Sequence, residues 1–389
     1  MNILFVSHSL TMSGGANRSM IQLILELRKN HGISPVVLSP FGKLEKEDHG
    51  LVKECIDKSI PVEQSIIPWF LHNKIWFHRF KYILLFFYFP LLILKLKKYN
   101  IQLVHSNGSV FDLGARISKF LKVPHVWHLR EFGTEDKTFK PVWSEKYIKE
   151  AYKKADVFIA ISDAIKESYT GRIVEGKVIR IYNGIDGNKY QKQAQHNNER
   201  TEFVIVGAVT PHKNQFEAVK AVAELIKKGN TNFHLNIIGS EDKVYRYAME
   251  EFIVNHRISD YITFWGLRND VPDILSKMDV GLMLSKSEAF GRVTIEYMFQ
   301  NLAVIATNTG ANPELIKDTE TGFLYNIGNL IELTNIMEKL VKDRNLLIRT
   351  AKSGREYAIQ TFPSAINTNN VFNIYKNLEK KWGELKFQS

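Results

Sequence analysis

Short apolar runs alternate with longer stretches in which apolar residues recur every three or four positions, and this rhythm continues along the whole chain. Runs at 3–7, 35–39, 101–105, 125–128, 157–161 and 178–182 have the length and branched aliphatic content of buried strands. Between them, 18–29 and 110–121 carry the helical period. Such alternation is the pattern of βαβ units, in which helices cover both faces of a parallel sheet. After Asn183-Gly184, the stretch 191–200 (QKQAQHNNER) is polar almost throughout and reads as a linker. The alternation restarts at 203–206, 235–238, 262–265, 280–284 and 303–306. The fold class is therefore α/β, with two doubly wound, Rossmann-like domains at 1–187 and 201–363 facing across a cleft. A last helical stripe in 364–389 (Val371, Ile374, Tyr375, Leu378, Trp382) has no strand after it and is expected to pack back on the first domain. In such sheets ligands sit beyond the carboxyl ends of the strands.

One run breaks the pattern. Residues 82–94 (YILLFFYFPLLIL) are apolar throughout, and Lys74, Arg79, Lys81, Lys95, Lys97 and Lys98 flank them. Thirteen helical residues span roughly 20 Å, short of the ~30 Å hydrocarbon core of a bilayer. Pro90 is expected to interrupt them as well, so a transmembrane helix is not predicted. Two readings remain: a helix buried in the core, or a surface that lies on a bilayer, which the upstream Trp69, Trp76, Phe77 and Phe80 favour.

Charge adds to the second reading. The net charge is +11, and residues 1–190 hold 28 Lys and Arg against 18 Asp and Glu, whereas the remainder is nearly balanced at 24 against 23. An anionic partner for the first domain is implied, with nucleic acid, an acidic membrane and a phosphorylated acceptor as candidates on charge alone. Hydrophobic content of 44% and charged content of 24% are those of a globular protein. Met1-Asn2 leads straight into an apolar run without a basic n-region, which reads as a first strand and not a secretory leader. The lone Cys55 forms no internal disulfide and reads as a small buried hydrophobe in a reducing compartment. The expected location is the cytoplasm, peripheral to the inner face of the cell membrane.

Three post-strand loops carry candidate chemistry. In the first, Gly14-Gly15-Ala16-Asn17-Arg18 lets bare backbone approach a phosphate or sugar beside a helix N-terminus. Its spacing is not GxGxxG, and no acidic residue ends the run at 35–39 to hold a ribose, so a dinucleotide site is not indicated. In the second, Gly207-Ala208-Val209-Thr210-Pro211-His212-Lys213 places a lysine at the entry of a helix, where it could neutralise a diphosphate. The third runs from Ser285 to Glu296 and holds Glu288 and Glu296 on either side of Phe290-Gly291-Arg292. Backbone N–H groups from Phe290 onward could meet a phosphate or sugar hydroxyls. Two carboxylates across a strand-to-helix turn suit the vicinal hydroxyls of a hexose and a ribose.

With these motifs in order, the chain resembles a retaining glycosyltransferase of family 4 (group 1) with the GT-B fold over nearly its whole length. Val123-Pro124-His125-Val126-Trp127-His128, Asn183-Gly184-Ile185-Asp186, Ile237-Ile238-Gly239-Ser240, Gly310-Ala311-Asn312-Pro313-Glu314 and Thr321-Gly322-Phe323-Leu324 add to the likeness. The resemblance implies that Glu296 binds the nucleotide ribose, Glu288 the donor sugar and Lys213 the diphosphate, with Phe290, Gly291 and Arg292 beside them. It implies that Gly15 approaches the diphosphate or the acceptor, with Gly14, Asn17, Arg18 and Arg130 on the acceptor side. His128, Lys213 and Glu288 would be catalytic, with His128 near the reacting sugar. One departure stands out: the family commonly has an arginine where this chain has Ala208, and Arg292 or Arg130 could replace it.

No Asp-x-Asp occurs in the sequence, so no metal and no cofactor is expected beyond the nucleotide-diphosphate sugar. The acceptor would be a glycan or lipid-linked saccharide of cell-surface polysaccharide synthesis, and nucleic acid is not an expected partner. A nucleotide-sugar epimerase, a phosphorylase and a non-catalytic sugar-nucleotide or membrane-binding module stay open as alternatives. An NAD-dependent oxidoreductase is disfavoured by the missing GxGxxG in both first loops.

Overall fold

A computed structural model of the chain describes every residue except 13, 43–49, 134–139, 172–176, 191–198 and 388–389, with 385–387 described as backbone. Most of the stretch read as a linker, 191–200, therefore lies outside the described residues. The chain divides into two compact units, Met1–Gly184 with Ser364–Ser389, and Ile185–Pro363.

The first unit is built on seven parallel strands in the order β3-β2-β1-β4-β5-β6-β7. These are β1 (Asn2–Ser7), β2 (Ser34–Pro40), β3 (Val62–Ser65), β4 (Leu103–Asn107), β5 (His125–Leu129), β6 (Val157–Ala160) and β7 (Val178–Arg180). The second unit has six, in the order β10-β9-β8-β11-β12-β13, all parallel. They are β8 (Thr201–Val206), β9 (Phe233–Ile238), β10 (Ile262–Gly266), β11 (Val280–Met283), β12 (Ala303–Thr307) and β13 (Phe323–Tyr325). Strand order reverses between β1 and β4 and again between β8 and β11. A doubly wound sheet opens its ligand crevice at such a reversal, beyond the carboxyl ends of the strands. All three candidate loops follow one of these strands.

The C-terminal helix α14 (Ser364–Phe387) packs in the first unit's core with α1 (Gly15–His31), through Val371, Ile374, Tyr375 and Leu378. Ser364 Oγ donates to Glu26 at 3.0 Å, and His31 stacks on Phe372 at 3.9 Å between ring centres. Residues from Ile185 onward belong to the second unit because Ile185 N–H bonds to Phe362 O at 2.9 Å and Tyr190 stacks on Phe299. Cys55 is fully buried, and burial pushes its thiol up to about 12, which leaves it inert at neutral pH.

The apolar run 82–94 lies within α3 (Ile75–Lys97), a helix that continues through Pro90. The expected interruption does not occur. Pro90 and Phe86, one turn earlier, both lie on an exposed face, where a carbonyl that loses its helical partner can turn to water. Tyr82, Leu85, Leu92, Ile93 and Leu96 face inward, which is the core reading in part. Trp76, Phe86 and Phe87, however, are 79%, 75% and 74% exposed, so the opposite face is apolar and uncovered. Among the described residues no helix is long and apolar enough to cross a membrane.

Candidate active site

In the second unit, the loop after β8 and the loop after β11 are stitched together. Lys286 N–H donates to His212 O at 2.9 Å, and the His212 ring bonds to Ser287 O at 2.9 Å. That stitching puts Lys213 Nζ 2.7 Å from Glu288 Oε2, with side chains 31% and 18% exposed. The Ala208 carbonyl accepts from Gln215 Nε2 at 2.9 Å, which holds the turn leading into α7 (Gln215–Lys227). Behind the turn, Gly207 and Gly239 let two backbones touch: a Cβ on Gly239, at φ +155°, would stand 2.0 Å from Gly207 O.

Glu288 is set from its other side by Ala311 N–H, which donates to its carbonyl at 2.9 Å. The close approach needs Gly310, at φ +57°, where a Cβ would meet the Glu288 backbone at 2.4 Å. Gly291, at φ +78°, precedes α10 (Arg292–Phe299), and no side chain caps that helix. Its first-turn N–H groups and positive dipole end therefore suit an anion. Phe290 beside it is buried, its ring edge-on to Phe362. Within α10, Arg292 Nε pairs with Glu296 Oε1 at 2.8 Å. The Tyr297 hydroxyl, held by burial well above its ordinary range, accepts from Val206 N–H at 2.7 Å, fixing α10 against β8. The two glutamates thus each face a cation, Lys213 for Glu288 and Arg292 for Glu296. Of the two arginines named as replacements at Ala208, Arg292 is the one in this cluster.

In the first unit, α1 starts at Gly15 without a side-chain cap, and Gly14 precedes it in extended conformation. Among the described residues a Cβ on either glycine would touch nothing within 4 Å. Asn17 and Arg130, read as acceptor ligands, are both committed elsewhere. Asn17 accepts from Ser7 Oγ at 2.7 Å and donates to Ser9 O and Thr11 O, so it braces the loop. Arg130 is buried and donates to Asn107 Oδ1, to Asn183 Oδ1 at 2.7 Å and to His128 Nδ1 at 3.4 Å. Arg18 donates through Nε to Met12 O at 2.8 Å on the exposed side of the same loop.

His128, the last residue but one of β5, is fully buried. Its Nδ1 faces His105 Nε2 at 3.2 Å, and burial together with Arg130 and His105 holds it well below the ordinary imidazole range. Glu131, Ser109, Asn107 and Gly108, none of them named as site residues from the sequence, join this end of the sheet together with His8. Glu131 accepts from Ser109 N–H at 2.9 Å and Oγ at 2.7 Å and faces His8 at 3.7 Å, while Asn107 Nδ2 donates to Ala16 O at 3.3 Å. Gly108, at φ +133°, is required because a Cβ there would stand 2.5 Å from the His8 ring. Only Glu131 carried a signal, as an acid directly after Arg130 beyond a strand end.

A cavity of about 770 Å³ lies between α3 and α4 (Leu113–Leu121), lined by Leu85, Phe86, Phe89 and Phe120 with Arg116 and Lys119. Among the described residues no group of three or more His, Cys, Asp or Glu is gathered to hold a metal ion.

Residues 13–189 match the family model for Glycosyltransferase Family 4, and residues 186–357 match that for Glycosyl transferases group 1. An uncharacterized glycosyltransferase of Methanocaldococcus jannaschii is 26% identical over 265 residues, 67% of this chain and 71% of that protein. The UDP-Gal:alpha-D-GlcNAc-diphosphoundecaprenol alpha-1,3-galactosyltransferase of Escherichia coli is 25% identical over 308 residues, 74% of this chain and 75% of that protein. In three dimensions the chain is similar to Anabaena HepE, solved in complex with UDP and glucose. The TM-score is 0.77 at 20% identity, over 97% of this chain and 100% of that one. Two Rossmann-like sheets and two adjoining family matches lead to one conclusion: the chain belongs to the group 1 glycosyltransferases and has the GT-B fold.

Proposed function

We propose that this glycosyltransferase moves a sugar from a nucleotide-diphosphate donor to a glycan or lipid-linked acceptor with retention of configuration and without a metal ion, in cell-surface polysaccharide synthesis. The observation that carries the reading is the 2.7 Å pair of Lys213 and Glu288, the latter in the loop that leads into an uncapped α10. A cation and helix N–H groups can take the charge that develops on a departing diphosphate, which is electrostatic stabilisation of the transition state. Glu288 accepts hydrogen bonds from the donor sugar's hydroxyls, Glu296 from the ribose, and Arg292 stands in for the arginine replaced by Ala208. Donor relatives in this reading are UDP-sugars, because HepE holds UDP and glucose.

The displacement proceeds on one face of the sugar. The bond from the anomeric carbon to the diphosphate oxygen breaks as the bond to the acceptor oxygen forms, and the acceptor's proton passes to the leaving phosphate. A panel of nucleotide sugars tested by thermal shift, followed by NMR of the product's anomeric centre, checks this. The matching donor raises the melting temperature by mass action, and product keeps the donor's anomeric configuration in the presence of EDTA. Inverted product, loss of turnover with EDTA or a sugar adduct trapped on Glu288 would overturn it. Free sugar or an epimer formed from donor alone would favour a phosphorylase or epimerase.

The acceptor's membrane enters through α3. Its exposed aromatic face, the cavity against α4, and Lys81, Lys95 and Lys119 nearby suit an anionic bilayer surface, with apolar rings in the acyl boundary and cations at the headgroups. The E. coli relative is named for a diphosphoundecaprenol-linked sugar acceptor. Phe86→Glu with Phe87→Glu lowers partition onto anionic vesicles by about tenfold or more, given the transfer cost of two aromatic side chains. Cosedimentation at fixed salt reads it, and unchanged partition would sink the idea.

A further inference from the structure

Three polar groups stand in line through the core of the first unit. Tyr375 of α14 places its hydroxyl 2.6 Å from His105 Nδ1. His105, on β4, places Nε2 3.2 Å from Nδ1 of His128 on β5. Arg130 brings Nη2 to 3.4 Å from that same Nδ1. His128 Nε2 is buried and has no hydrogen-bond partner among the described residues.

We propose that Tyr375 and His105 are positioning residues that hold His128 as the Nε2–H tautomer, so that its ring presents a hydrogen-bond donor to a ligand oxygen beyond β5. A guanidinium can only donate, so the His128 nitrogen that Arg130 approaches carries a lone pair. His105 Nε2 faces that lone pair and must therefore carry a proton. A neutral imidazole has one N–H, which leaves a lone pair on His105 Nδ1 for the Tyr375 hydroxyl to fill. The only remaining place for the proton of His128 is Nε2. Both rings are neutral, since burial first and then Arg130 disfavour their charged forms. The opposite tautomer would aim an N–H at the Arg130 guanidinium, which cannot accept it, and would reverse His105 to its Nδ1–H form against the Tyr375 oxygen.

An imidazole fixed this way can donate to a sugar hydroxyl and cannot act as a base toward it. The assignment rests on the glycosyl-transfer reading only for the identity of that ligand, because the tautomer itself follows from the three contacts. The C-terminal helix also acquires a task at the site, since Tyr375 reaches His105 from α14.

Long-range ¹H–¹⁵N spectra of histidine-labelled protein at neutral pH test it, with His128→Gln assigning the signals. The wild type shows His128 with protonated Nε2 and a lone pair on Nδ1. Tyr375→Phe keeps the packed ring, removes the O–H and lets both tautomers of His105 and His128 appear. Its kcat for the donor found by thermal shift falls roughly tenfold, the value of one hydrogen bond, while the donor KM stays the same. Protonated Nδ1 on wild-type His128, or a tautomer unmoved in Tyr375→Phe, overturns the proposal, and if that variant fails to fold the wild-type spectrum still decides. Tautomers as stated with no transfer from any nucleotide sugar would count against the glycosyl-transfer reading and leave this one standing.

Discussion

Lys213→Ala lowers kcat/KM for glycosyl transfer by roughly a hundredfold or more, the usual cost of removing one group that stabilises developing charge. The folded protein barely notices. Lys213 and Glu288 are both partly open to solvent, and pairs of that kind contribute about 0–1 kcal/mol. A large kinetic loss beside an unchanged melting temperature is therefore the signature of a group held for the reaction and not for the fold. Glu288→Gln keeps the volume and one acceptor oxygen but releases the lysine, so donor KM rises together with a fall in kcat. Because the two side chains touch, the double variant should be little worse than Lys213→Ala alone, with a coupling energy of about 0.5–3 kcal/mol. Steady-state rates of the four proteins with one donor measure it. Fully additive losses, or a Lys213→Ala enzyme within twofold of wild type, would remove Lys213 from the diphosphate.

How far the sequence reaches is visible in the same loops. Buried parallel strands announce themselves as unbroken apolar runs, and eleven were placed within a residue or two of β1, β2 and β4 to β12. Two were not. β3 (Val62–Ser65) is an edge strand of mixed polarity, and β13 (Phe323–Tyr325) is three residues long at the other sheet's edge. Neither needs an apolar run, since an edge is covered on fewer sides. Glu288 and Glu296 were legible because their task depends on residue type and local spacing. What pairs them was half legible: Arg292 lies one helical turn from Glu296, whereas the contact of Lys213 with Glu288 spans two loops and only becomes visible once His212 stitches them. Asn17 and Arg130 show the reverse limit. Polar residues beside a strand end look like ligands, yet Asn17 closes its own loop and Arg130 holds Asn107, Asn183 and His128. Satisfying buried backbone and amide groups is as strong a demand on such residues as binding substrate.

The first unit should lose stability steeply in mild acid. His105, His125 and His128 are fully buried on β4 and β5, and each is held below the ordinary imidazole range, His125 at about 3 by burial. On α3, burial and then His72 and Lys81 hold His78 at about 4. In an unfolded chain these rings titrate near 6.5. Above that pH both states are neutral and nothing changes. Below it the unfolded chain takes up protons that the native state refuses, so unfolding becomes easier as pH falls. The slope is about 1.4 kcal/mol per pH unit for each such ring. Between pH 7 and pH 5 a single ring of the His125 kind therefore costs about 2 kcal/mol, and the three sheet histidines together cost about 6 kcal/mol, against the roughly 5–15 kcal/mol that a domain has. Urea midpoints at pH 7 and pH 5 read the effect, and hydrogen exchange locates it: peptides from β4 and β5 should lose protection in acid before those from β8 and β9. His125→Asn removes one ring, so it should flatten the slope by about one proton even where it lowers stability at pH 7. A midpoint that does not move between pH 7 and pH 5 would mean that these histidines charge without unfolding the sheet, and the donor assigned to His128 would then have to be a cation.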